Sequence, residues 1–116
     1  MMKQPLFSLG EKFITHKARQ ACRRNQVDYY KYLARHCSGE WGRVGNYSEI
    51  KLSETELHTG IIEDTGKFNV WLLKRRENGS IMSIYMLDDK TKLWIITVCD
   101  FHRNKNHTTI LLSSEY

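Results

Sequence analysis

The sequence predicts an α+β domain, with two to three N-terminal helices packed on a C-terminal four-stranded antiparallel meander. Three observations lead there. Apolar residues recur at helical spacing between positions 16 and 37. Asn78-Gly79 is a strong hairpin signal. Runs rich in β-branched and aromatic residues fill most of 80–112. The chain has 116 residues, 41% of them hydrophobic, which suits a single domain over 1–116, helical to about 60 and β beyond.

The elements follow in order. Residues 5–15 read as a loop with one short strand at 12–14. Thr15 caps a helix over 16–24, whose apolar stripe holds Ala18 and Cys22 and whose last turn holds Arg23 and Arg24. A second helix is expected over 26–37. Val27, Tyr30, Leu33, Ala34 and Cys37 share one face, with Tyr29, Tyr32 and His36 on a neighbouring stripe. Gly39 ends it. After a glycine-containing loop, 48–59 reads as a third helix capped by Ser48 and stopped by Gly60. Strands are expected at 67–75, 80–87, 92–99 and 108–112. In 80–87 the alternation sets Met82, Ile84 and Met86 against Ser83 and Tyr85. With the helices on the methionine face, Ser83 and Tyr85 would lie on an open one. Trp41, Trp71 and Trp94 suit packing positions.

Composition excludes several classes. Ordinary apolar content and a single proline exclude disorder. No run of about 18 apolar residues suggests a membrane span. No apolar stretch follows Met1-Met2-Lys3, so no secretory signal is expected. Cys22, Cys37 and Cys99 are odd in number and widely spaced, which suits a reducing cytoplasm. Cys99, His102 and His107 offer three potential zinc ligands, but no fourth is near, so neither a metal nor a cofactor is expected.

The net charge of +5 is unevenly placed. Residues 1–43 carry nine Lys and Arg against three acids, residues 44–66 one against five, and residues 67–116 eight against five. A basic N-terminal third favours capture of polyanions, although a solvated helix surface would look the same. Lys17, Arg19, Arg23, Arg24 and Lys31 are the candidate contacts, with Trp41 beside them. The segment 100–107 adds Phe101, Arg103 and Lys105, an aromatic beside cations, as single-strand binders use.

A second constellation suggests catalysis. Arg35 and His36, with Ser83, Tyr85 and Thr109, would furnish a metal-independent ribonuclease site. His36 would exchange the proton, Arg35 or Arg103 would hold the phosphate and a hydroxyl would steady the oxyanion. Helices followed by a meander resemble the barnase, RelE and colicin-type ribonuclease architecture. In the alternative reading, Arg35 pairs with Glu40 and His36 caps the helix end.

Several segments are ordered as in a family of small uncharacterised proteins carried on plasmids, integrative elements and prophages. They are Phe7-Ser8-Leu9-Gly10, Leu33-Ala34-Arg35-His36-Cys37-Ser38-Gly39-Glu40-Trp41-Gly42, Ser83-Ile84-Tyr85, Trp94-Ile95-Ile96-Thr97, and Thr108-Thr109-Ile110-Leu111-Leu112 with Glu115-Tyr116. The chain resembles that family along nearly its whole length. It departs in carrying Val98 where the family has Glu, Ser113 where it has Pro, and a longer 61–79 segment. The resemblance implies an accessory protein of a mobile element; taken with the basic N-terminal helices and the 100–107 segment, the first reading is stoichiometric binding to nucleic acid or to a nucleoprotein complex such as a CRISPR effector. The ribonuclease is the second reading, and an oligomerising protein without a polyanion partner is the third.

Overall fold

The computed structural model describes residues 4–116. The elements run β1 (Glu11–Ile14), α1 (His16–Arg24), α2 (Tyr29–Cys37), α3 (Glu54–Thr59), α4 (Thr65–Arg75), β2 (Gly79–Met86), β3 (Lys92–Asp100) and β4 (Lys105–Leu112), closed by a 3-10 turn (Ser113–Glu115). The α+β class holds. No helix among the described residues is long and apolar enough to cross a membrane.

The sheet order is β1-β4-β3-β2. β2, β3 and β4 form the expected antiparallel meander, but the fourth strand is β1, which joins β4 in parallel. The sheet is therefore mixed. The expected strand at 67–75 is α4. The Asp64 side chain accepts the Lys67 N–H at 2.8 Å and starts the helix, and Arg76 stops it in a left-handed conformation. Gly66, Asn69, Val70, Leu72 and Leu73 form its buried face, so packing overrides the β-propensity of Phe68, Val70 and Trp71.

α1 has its expected bounds. Thr15 Oγ1 accepts the Ala18 N–H at 3.1 Å, and Ala18, Ala21 and Cys22 are buried. α2 starts at Tyr29 rather than 26, because Gln26 is left-handed and Asp28 provides the cap. Its buried stripe is Tyr32, Leu33 and His36, while Tyr30 is 58% exposed. The third helix is shorter than expected. Ser53 caps it, not Ser48, through a reciprocal capping box with Glu56.

The helix-covered face of the sheet is the reverse of the expected one. Ile81, Ser83 and Tyr85 are buried, Met82 and Ile84 are half-buried and Met86 is exposed. Helices therefore cover the Ser83–Tyr85 face, and the methionine face is open. Below the helices, Leu33, Tyr85, Leu93, Ile95 and Ile110 pack with α1. A second cluster joins Phe7, Trp41, Val70, Leu72, Ile81 and Cys99.

The β2 edge is closed by groups that imitate a strand. The Asn69 side chain donates to the Met82 carbonyl at 2.8 Å and accepts the Met82 N–H at 3.1 Å. Beside it, the Ile84 N–H donates to Trp41 O and the Arg43 N–H donates to Ile84 O. At the other edge, β1 has β4 as its strand neighbour.

Candidate functional site

His36 is fully buried. Its Nδ1 lies 2.5 Å from Ser83 Oγ and its Nε2 2.9 Å from Thr97 Oγ1. Thr97 Oγ1 lies 2.7 Å from Thr108 Oγ1, which donates to the Leu9 carbonyl at 2.7 Å. That last bond orders the others. Thr108 must accept from Thr97, and Thr97 must accept from His36 Nε2–H, leaving Nδ1 to accept from Ser83. Burial holds the imidazole neutral, its pKa pushed down to about 3. Both nitrogens are engaged and the ring meets Phe7 edge-on.

The five residues of the expected ribonuclease site do not meet at a surface. His36 and Ser83 are sealed. The Tyr85 hydroxyl donates to the Glu40 carbonyl at 2.6 Å, and burial pushes its phenol up to about 12. The Arg35 guanidinium stacks over the Tyr85 ring at 4.8 Å, in a groove also lined by Arg43. Thr109 is on the opposite face of the sheet from Thr108 and the histidine chain.

The expected contact residues divide. Trp41 is fully buried and its indole donates to the His36 carbonyl at 3.0 Å, so it braces the fold and does not touch a ligand. Arg24 pairs with Asp89 at 3.0 Å, and Arg103 lies 3.8 Å from Asp100. Arg76 lies over the Phe101 ring at 4.6 Å. Phe101 and Arg103 sit at the β3–β4 turn, while Arg24 reaches the β2–β3 turn; the length of β3, about 30 Å, separates them. Cys99 is on the covered face and His107 on the open one, so these two do not converge on a metal. Lys17, Arg19, Arg23 and Lys31 remain exposed on α1 and α2.

Sequence reasoning missed the aromatic part of this surface. Tyr29 and Tyr30 stack with ring centroids 4.7 Å apart, and the Arg19 guanidinium sits 5.9 Å from the Tyr29 centroid. Phe13 on β1 is 53% exposed. These three aromatics, with Lys12 and Arg19, surround a groove of about 300 Å³ over Leu33 and Ile110. A second groove, about 660 Å³, runs from Phe13 past Glu11 and His107 to Lys105. Phe13 lines both, so a continuous track follows the open edge of β1. The available signal was the Asp28 cap, which puts Tyr29 and Tyr30 in the first turn of α2.

No family model, curated protein or solved structure matches the chain.

Proposed function

We propose that the protein acts by stoichiometric binding of single-stranded nucleic acid along the β1 track. The carrying observation is that Phe13 and Tyr30, both more than half exposed, share a groove with Lys12 and Arg19. Flat aromatic faces stack on any base, and adjacent cations neutralise the phosphates between bases. Lys17, Arg23 and Lys31 extend the positive field along the same helices. Lys105 extends it through the second groove. The ribonuclease reading is not favoured, because its proton-transfer residue is sealed from any substrate. The setting we propose is a mobile element's accessory protein in a bacterial cytoplasm, where the bound strand would belong to free nucleic acid or to a host defence complex such as a CRISPR effector.

The test is fluorescence anisotropy with labelled DNA and RNA oligonucleotides of about ten nucleotides over a salt series. Tyr30→Ala is expected to weaken binding between about 5-fold and 100-fold. Lys12→Ala and Arg19→Ala are each expected to lower the slope of log affinity against log salt by about 0.7. No binding at low salt, or full affinity in Tyr30→Ala and Phe13→Ala together, would overturn the reading.

A further inference from the structure

We propose that the groove between α2 and the β2 edge, walled by Arg35 and Arg43, binds the phosphate group of a phosphate monoester. The inference is independent of the nucleic-acid reading and uses no residue of the β1 track.

Local chemistry places both guanidinium groups. Arg35 stands in the last turn of α2, 4.8 Å from the Tyr85 ring centroid and 5.9 Å from that of Tyr32. Both rings are buried, so stacking fixes the plane of the guanidinium and leaves its N–H edge for an acceptor. Gly42 adopts φ +66°, with no room for a Cβ against the Ile84 carbonyl. The 41–43 segment therefore lies on the β2 edge and brings Arg43 into the groove that Arg35 lines. Arg43 Nη1 lies 3.9 Å from Met86 Sδ. A third donor is backbone. The Ile84 N–H and C=O face this edge, where Trp41 and Arg43 take them. Strand alternation turns the Met86 N–H the same way. Asp88 and Glu40 lie near the two tyrosines. Among the described residues, however, no carboxylate is within ion-pair distance of Arg35 or Arg43.

Charge and donor geometry select the ligand. Two guanidinium forks carry two positive charges. A carboxylate or a phosphodiester offers one negative charge and two terminal oxygens. A monoester phosphate offers three oxygens and nearly two charges at neutral pH. The groove, about 270 Å³, admits that group with a small body against Ile84 and Met86. It does not suit a nucleobase, because Arg35 already covers the Tyr85 ring and the Tyr32 ring is buried.

The test is a proton–nitrogen NMR titration of the full chain with methyl phosphate, dimethyl phosphate and acetate, at neutral pH and equal ionic strength. Methyl phosphate is expected to move the Arg35 and Arg43 Nε–H signals and the Met86 amide saturably. It should bind at least about 10-fold more tightly than the other two anions. Arg35→Gln and Arg43→Gln should each weaken it at least about 10-fold. If Arg35→Gln fails to fold, Arg43→Gln decides, because its side chain is exposed. No saturable shift of these signals overturns the proposal. So do equal binding of the three anions and an unchanged affinity in a folded Arg43→Gln. Oligonucleotides with a 5′-phosphate or a 5′-hydroxyl then separate the sources of the group. A preference for the phosphate that vanishes in Arg43→Gln places a strand end in the groove; no preference, with methyl phosphate still bound, assigns the groove to a small phosphate ester.

Discussion

The Asn69 side chain and the Met82 peptide group exchange two hydrogen bonds, at 2.8 and 3.1 Å. A helix side chain thereby takes the place of a fifth strand. An amide suits this position because it is at once donor and acceptor, and it is fully buried there.

Replacing Asn69 with Leu keeps the volume and removes both partners of Met82. The Asn69→Leu variant is expected to lose about 2–4 kcal/mol in urea unfolding, the cost of leaving a buried N–H and C=O unmet. It should also aggregate more readily, through the strand edge it uncovers. A loss below about 0.5 kcal/mol would show that water satisfies Met82 instead.

His36 makes stability depend on acid. Its pKa is 6.5 when unfolded and about 3 when folded, so the unfolded chain takes up the proton first. Its contribution is complete above pH 6.5 and is lost on acidification at about 1.4 kcal/mol per pH unit, down to pH about 3. Carboxylates held low in the fold, Asp89 among them, add their own loss on acidification. The difference between the urea midpoints of the parent and of His36→Gln isolates the histidine. That difference should shrink steadily from pH 6.5 to pH 4; a constant difference would contradict a sealed, neutral imidazole.

Arg23 and Arg24 are adjacent but unequal. Asp89 and Thr91 hold Arg24, whereas Arg23 has no carboxylate partner among the described residues. In the anisotropy assay, Arg23→Ala should reduce affinity and salt dependence more than Arg24→Ala does. Equal effects would mean that the Asp89 pair opens on binding.

Gly10 adopts φ +62° where a Cβ would overlap the Asn106 backbone. Gly10→Ala should therefore destabilise the fold by at least about 2 kcal/mol and loosen β1 from β4. Hydrogen exchange at the Phe13 and Thr15 amides would report it, and unchanged protection would show that the loop relaxes without cost.

Much of the fold was legible where local chemistry and packing agree. Thr15, Ala18 and Cys22 set the first helix, and the alternation of the last strands set the meander. The parallel pairing of β1 with β4 was not legible, and two further features were not. Phe68, Val70 and Trp71 favour a strand by propensity, and only the Asp64 cap and the core contacts of Leu72 and Leu73 make them a helix. The sheet's covered face was ambiguous because both sets of alternate positions in 80–87 are largely apolar. The polar Ser83 looked solvent-facing, and only the distant His36, its partner, allows it to be buried. The basic residues of the proposed track were visible in the charge distribution. Its aromatics were hidden in a four-residue strand and a one-turn change in where α2 begins.

The two edges of the sheet carry a consequence for assembly. A fibre grown strand by strand needs two accepting edges on every unit, one for each neighbour. Among the described residues this sheet leaves one edge without a strand partner, at β1, while Asn69 and the 41–43 segment occupy the other. With one valence per molecule, edge-to-edge growth ends at a pair, so the folded protein terminates its own polymerisation along that direction.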